Sequence, residues 1–234
     1  NKYRYYTANQ LDYLDTILIM KEIGFSLAEI QEHMKSYNID TSLITLRKQL
    51  TVLDQQIQHL QLVRNRLAHR CTQMENVKEV RDRNQEVTIK EVKPNFLLYA
   101  EVDSPYSFSE ISIATKKCFS QALKDSLPIF FQTGVVVPYR KIVEGRYTEA
   151  SVAFLPIENT QKAQNIITLP QGRAANIYHY GTYPSVDRSY QKLLNYCKEH
   201  QLEIISDSYE FCINDYISSG DESEYITEIF FYVR

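Results

Sequence analysis

Apolar residues along this chain recur at helical intervals up to about residue 84 and at strand intervals beyond it. Neither glycine nor proline occurs between Gly24 and Pro94. That span is too long for loops and must be largely helical. Ahead of it, Thr7-Ala-Asn-Gln10 has the spacing of a capping box, and Leu11, Leu14, Ile17 and Leu18 continue an amphipathic helix that stops at Gly24. Ser26-Leu-Ala-Glu29 is a second box, opening a short helix to about Ser36. A helix that ends in glycine and restarts two residues later makes a tight corner.

From about Thr41, Leu43, Leu46, Leu50, Leu53, Ile57, Leu60, Leu67, Cys71 and Met74 follow in steps of three and four, with Arg64 at one seam position. This heptad spacing keeps one stripe facing a partner. The stripe is expected to pair with a second copy of the chain, the alternative being packing along the chain's own C-terminal half. Beyond Asn84 the periodicity predicts strands at Val87–Val92, Phe96–Val102, Ile129–Pro138, Glu149–Ile157, Asn165–Leu169, Arg173–Tyr180, Asp207–Tyr216 and Glu224–Val233, with helices at Ser107–Leu127 and Pro184–His200. Strand, helix and two strands thus occur once from Phe96 to Ile157 and again from Arg173 to Val233. The fold class is α+β: a helical front, a long helix, and a duplicated strand-helix-strand-strand unit merging into one antiparallel sheet. The implied division is residues 1–39, 40–84 and 85–234. The open face of the sheet, or the seam between its halves, is a natural ligand site.

Composition changes this picture in three ways. Residues 1–85 carry 12 Lys/Arg against 10 Asp/Glu and the remainder 14 against 19, so the basic side is N-terminal. The chain is not basic throughout, but one segment can still bind nucleic acid. There are 18 tyrosines and no tryptophan, a surplus that suits a ligand pocket as well as a core. The four cysteines are scattered without metal-finger spacing and read as free thiols in a reducing cytoplasm. His59 and His69 stand ten residues apart on one helix and cannot share an ion, so no metal and no cofactor is expected. No apolar run approaches the ~20 residues that span a bilayer, and no nucleophile or nucleotide-binding loop stands in a recognisable setting. A membrane partner and an enzymatic role are therefore not expected.

The run Tyr3-Arg4-Tyr5-Tyr6-Thr7, then Gln10-Leu11, Leu14, Ile17 and Ile23-Gly24-Phe25-Ser26-Leu27-Ala28-Glu29-Ile30, resembles the MerR family of transcription regulators. There a wing segment is followed by a helix, a corner and a dimerisation helix. The chain starts within the wing, so the helix-turn-helix that enters the major groove is expected to be missing. The back half resembles GyrI-like effector-binding domains through Pro170-Gln-Gly-Arg173, Tyr190-Gln-Lys-Leu-Leu-Asn-Tyr196, Ser206-Asp-Ser-Tyr-Glu210 and Glu224-Tyr225.

Those resemblances imply a homodimeric, effector-responsive regulator joined through the seam residues Leu43, Leu46, Leu50, Leu53, Ile57, Leu60, Leu67 and Met74. Its partners are promoter DNA in the full-length protein, RNA polymerase indirectly, and a small lipophilic cation. Glu210 matches the glutamate at the base of an aromatic pocket, and Tyr225 matches a pocket tyrosine. Tyr178, Tyr180, Tyr147 and Phe130 are candidate walls, argued only as aromatics of the predicted strand region. Lys2, Tyr3, Arg4 and Tyr5 form a basic-aromatic cluster suited to DNA phosphates. The alternative is a GyrI-like hydrolase using Glu210 and Tyr225.

Overall fold

The computed structural model describes residues 5–35, 38–81, 86–125, 127, 132–157, 164–215 and 219–234, with only the backbone of 69, 73 and 76–81. Lys2, Tyr3, Arg4 and Phe130 lie outside the described residues; Tyr5 is exposed. The chain divides into two compact units, residues 1–65 and 66–234.

In the first unit, helix α1 (Ala8–Ile23) opens where the Thr7 N–H donates to Gln10 Oε1 at 2.9 Å and closes at Gly24, whose φ of 105° only glycine adopts at no steric cost. Helix α2 (Leu27–Lys35) opens on the reciprocal pair of Ser26 N–H to Glu29 Oε2 (2.8 Å) and Glu29 N–H to Ser26 Oγ (3.3 Å). Met20, Phe25 and Ile30 form the small core of the corner. A groove of about 250 Å³ lined by Ile17, Leu27, Ile30, Gln31, Met34 and Lys35 opens beside it. Helix α3 (Ile39–Arg81) runs for 43 residues. The Gln49 amide donates to the Ile23 carbonyl at 3.0 Å, satisfying an acceptor at the end of α1. Along α3 the seam positions Leu43, Leu46, Leu50, Ile57, Leu60, Leu67 and Met74 are exposed, and Leu53 is half-buried.

The second unit holds strands β1 (Thr88–Val92), β2 (Asn95–Glu101), β3 (Gly134–Val137), β4 (Val152–Ile157), β5 (Ile166–Leu169), β6 (Gly172–Tyr180), β7 (Ser208–Asn214) and β8 (Ile226–Tyr232). Among them run helices α4 (Phe108–Lys124), α5 (Tyr139–Val143) and α6 (Asp187–Glu199). The strands form one antiparallel sheet in the order β1-β6-β8-β7-β3-β4-β2-β5. The order reads the same from both ends once β1 is matched with β5, β6 with β2, β8 with β4, and β7 with β3. The duplicated unit read from the sequence is therefore present, with its seam at the central β7–β3 pair.

The connections force a curl. Lys93-Pro94 alone joins β1, at one edge, to β2, the seventh strand of the order. In a flat sheet those strands would stand about 29 Å apart, whereas three peptide links span at most about 11 Å. Pro170-Gln171 imposes the same constraint from the other edge. Accordingly the inward side chains of all eight strands, among them Val92, Leu97, Val136, Phe154, Leu169, Ala174, Phe211 and Phe230, form a single cluster. The outward face carries separate clusters beneath α6 and α4. Tyr190, Leu193 and Cys197, at helical spacing, are the positions through which α6 is buried on that face. Gly134 is required at the seam, where a Cβ would meet Phe154 at 2.2 Å and the Glu210 carbonyl oxygen at 2.4 Å.

Two elements differ from the sequence reading. Of the strand expected at Ile129–Pro138, the described part is Gly134–Val137, and Pro138 then caps an unanticipated short helix, α5. The second helix begins at Asp187 rather than Pro184, because Tyr183–Ser185 forms a tighter 3-10 turn ahead of it.

Candidate functional site

Strand β7 sends alternate side chains to opposite faces. Ser208 and Glu210 point outward, toward the helices. Glu210 stands on the seam, opposite Val135 of β3 on one side and Ile229 of β8 on the other. It is 1% exposed. Burial is the main force on its carboxyl, pushing the pKa up to about 7, while the Tyr190 and Tyr183 phenols pull it back. Its described partners are the Tyr190 and Tyr183 phenols, neither of them cationic.

The hydrogen-bond order follows from the donors available. Tyr190 has one proton, and the carboxylate Oε1 is its stronger acceptor. The Ser208 hydroxyl, 2.9 Å from the same phenol, then donates to the phenol oxygen. Among the described residues neither the second carboxylate oxygen, Oε2, nor the Tyr183 hydroxyl makes a well-formed hydrogen bond. Tyr183 lies near enough to Glu210 for each to weigh on the other's ionisation.

The two phenols at this carboxylate belong to a cluster of aromatic rings. Tyr147, in the loop after α5, stacks on Tyr190 with ring centroids 5.2 Å apart. Phe231 meets Tyr190 at 6.1 Å and Tyr139 at 5.8 Å, both edge-to-face. Phe108, at the start of α4, meets Tyr183 edge-to-face at 5.5 Å. A buried carboxylate beside such a cluster is suited to a cation with an apolar body, since the charge would meet Glu210 and the rings offer cation–π attraction.

The residues expected at the site are only partly brought together. Tyr147 stacks on the carboxylate's phenol partner. Tyr178 and Tyr180 are turned to the opposite, inner face: Tyr178 pairs across the ladder with Glu228, which pairs with Phe211, whereas Ile177 shares the Glu210 face. On that inner face Glu228 instead meets Lys90 at 2.6 Å, and burial together with Glu228 raises the Tyr178 phenol. Tyr225 stands just before β8, four residues or about 13 Å along the strand from the Glu210 partner Ile229. Desolvation is the main cause that raises its phenol, followed by Glu222, Asp215 and Asp221, and Glu210 is not among the causes. The Glu210–Tyr225 pairing of the hydrolase alternative is therefore not assembled. Tyr183, Tyr190, Tyr139, Phe108 and Phe231 were not singled out from the sequence. Only Tyr190 left a signal there, as the first residue of the Tyr190–Tyr196 segment that carries the GyrI-like resemblance. Among the described residues no group of His, Cys, Asp and Glu could hold a metal ion, and no helix is long and apolar enough to cross a membrane.

The family model described as the GyrI-like small molecule binding domain matches residues 85–234. The chain belongs to the GyrI-like family. A model described as MerR, DNA binding, matches residues 11–70 of this GyrI-like protein, which does not support the expectation that the DNA-binding helix-turn-helix is missing. The two together make the chain a MerR-type transcription regulator with a GyrI-like effector-binding domain. It is 27% identical to the multidrug-efflux transporter 1 regulator of Bacillus subtilis (strain 168), over 97% of this chain and 83% of that protein. The multidrug-efflux transporter 2 regulator of the same organism is 21% identical over 96% and 81%. Among solved structures, EcmrR bound to DNA in a cryo-EM complex designated EcmrR-RPo gives a TM-score of 0.52 at 19% identity, covering 100% of this chain and 87% of that one. The crystal structure of the EcmrR C-terminal domain gives 0.53 at 18% identity over 64% and 97%. At such identities these two structures speak to the fold.

Proposed function

We propose that this GyrI-like regulator senses a small lipophilic cation and passes its binding to promoter DNA. The observation that carries the reading is Glu210: a fully buried carboxylate whose partners among the described residues are phenols and include no cation, at the edge of a cluster of aromatic rings. Ionising such a group inside a protein costs several kcal/mol when nothing opposite in charge accompanies it. A cation with an apolar body supplies the missing charge. Because Glu210 is buried, with the Tyr190 phenol bonded to its carboxylate and Tyr147 stacked on Tyr190, a ligand that meets the carboxylate has to displace part of this packing. The site therefore has two states for ligand to select between, which any ligand-driven switch requires.

In this reading residues 1–39 form part of the DNA-binding head, 40–84 the dimerising helix and 85–234 the sensor, and the protein works as a cytoplasmic homodimer. The two Bacillus subtilis proteins it resembles are regulators of multidrug-efflux transporters. Control through distortion of promoter DNA, with RNA polymerase as the indirect partner, fits that architecture. The basic-aromatic N-terminus, Lys2, Tyr3, Arg4 and Tyr5, is assigned to phosphate contacts. We assign no catalytic role to Glu210, which lacks the Tyr225 partner that hydrolysis was expected to use.

Calorimetric titration with a delocalised aromatic cation, tetraphenylphosphonium, tests the reading. Wild-type protein should bind it, triphenylphosphine oxide as the neutral analogue should bind at least tenfold more weakly, and Glu210→Gln should remove that preference. A wild type that takes both probes equally, or neither, would falsify the cation reading.

A further inference from the structure

Tyr183 and Glu210 are brought together by a turn that has its own lock. Gly181, with φ 107°, swings the chain out of β6, and its N–H donates to the Tyr225 carbonyl at 2.9 Å. Thr182–Val186 then turns tightly, Ser185 N–H donating to the Thr182 carbonyl at 3.0 Å and Val186 N–H to the Tyr183 carbonyl at 3.2 Å. His179, 4% exposed on the outward face of β6, reaches into this turn. Its Nε2 lies 3.0 Å from the Thr182 carbonyl oxygen and 3.2 Å from Ser185 Oγ, and its Nδ1 lies 3.0 Å from Ser189 Oγ on α6.

A carbonyl only accepts, so Nε2 carries the proton and Nδ1 accepts from the Ser189 hydroxyl. Burial lowers the pKa of the ring, which favours this neutral form. One imidazole thus ties a strand, the turn that carries Tyr183, and the α6 residue next to Tyr190. His179 is not among the groups that perturb the Glu210 carboxyl.

We infer that His179 is a positioning residue for the carboxylate site, locking the Thr182–Val186 turn so that the Tyr183 phenol stands beside the Glu210 carboxylate. The inference rests on the cation reading of that site. A turn held in place before the ligand arrives avoids the ordering cost that a loose one would add to binding. The lock is directional. Its Nε2 bond fixes the turn, and its Nδ1 bond fixes α6.

The two bonds can be separated by substitution. Glutamine at 179 reaches the Nε2 position and keeps a donor for Thr182, while asparagine ends at the Nδ1 position and loses it. Tetraphenylphosphonium affinity is measured by calorimetry for wild type, His179→Gln, His179→Asn, Ser185→Ala and Glu210→Gln. Wild type, His179→Asn and Ser185→Ala are each repeated in a Tyr183→Leu background. His179→Asn should bind roughly tenfold more weakly, His179→Gln should stay near wild type, and Ser185→Ala should fall between. In the Tyr183→Leu background His179→Asn and Ser185→Ala should cause no further loss, because they act through the residue already removed. Losses that add in full across the cycle, or a His179→Asn that binds like wild type while Glu210→Gln does not, overturn the positioning role and leave the cation site standing. If His179→Asn does not fold, the Ser185→Ala and Tyr183→Leu cycle decides by itself. A wild type that does not bind the cation overturns the underlying reading instead.

Discussion

At the scale of single residues, the buried Glu210 carboxyl contributes a pH dependence of its own. Its folded pKa of about 7 lies above the ordinary 4.5 because burial disfavours the charge. A raised pKa contributes stability that is fully present below about 4.5 and is lost as pH rises through 7. The difference corresponds to roughly 3 kcal/mol at about 1.4 kcal/mol per unit. Ligand-free wild type should therefore melt at a lower temperature at pH 8 than at pH 5 by this term, and Glu210→Gln should flatten the slope. Cation binding has the opposite dependence, since a cation selects the ionised carboxylate. Its affinity should rise about tenfold per pH unit well below the folded pKa and about fivefold from pH 6 to pH 7, level off above the folded pKa, and be accompanied by proton release. Calorimetry in two buffers of different ionisation heat reads that proton directly. A pH-independent affinity with no proton released would show that the cation does not meet this carboxylate.

Glu210 was legible from its sequence motif and from strand alternation, which puts it with Ser208. Its surroundings were much less so. Tyr178 and Tyr180 were mistaken for neighbours because both faces of β6 are covered, so burial along the strand does not alternate cleanly enough to tell inward from outward. The residues that do surround Glu210 come from a loop, a turn, helices and another strand. No periodicity within one element can assemble Tyr147, Tyr183 and Tyr190 around a glutamate of β7. The register and the turn geometry carry that information.

Among the elements, α3 was read most directly. A span without glycine or proline and a repeating three-four step require nothing from tertiary context, and the helix runs from Ile39 to Arg81. Its partner is a matter of exposure. Leu50, Ile57 and Leu60 are 59%, 52% and 65% exposed on the single chain, and burying such a side chain is worth about 1.5–3 kcal/mol. The proposal that the seam joins two copies therefore predicts that Leu50→Asp with Ile57→Asp converts a dimer to a monomer in sedimentation equilibrium. The far-ultraviolet dichroism should lose part of its helical signal as the freed helix frays. A wild type that sediments as a monomer at tens of micromolar would remove dimerisation from the reading. α5 was missed for the converse reason: a helix of five residues has too few positions to display a period.

For the sensor unit as a whole, the decisive feature is that each half lends a strand to the other. β1 precedes the first repeat but pairs with β6 of the second, and β5 precedes the second repeat but pairs with β2 of the first. The central β7–β3 pair joins them again, so three ladders cross between halves. The inner cluster spans all eight strands, and no half owns a closed core. Either half alone would expose a central strand edge and half of that cluster, which is a template for aggregation rather than for a stable fold. Residues 85–234 are expected to unfold in urea as one cooperative transition, with the signals of inner-face Tyr178 and helix-side Tyr190 moving together. A chain cut between Pro170 and Gln171, in the short link that carries β5 back across the sheet, should reassemble when its two pieces are mixed, while each piece alone remains unfolded. Two separate transitions, or a second half that folds unaided, would mean that the exchanged strands are not what holds the sensor together. The same interdependence bears on signalling. Glu210 sits on the one ladder where the repeats meet face to face, so a ligand that moves Tyr190 on α6 acts on the junction of both halves rather than on one of them.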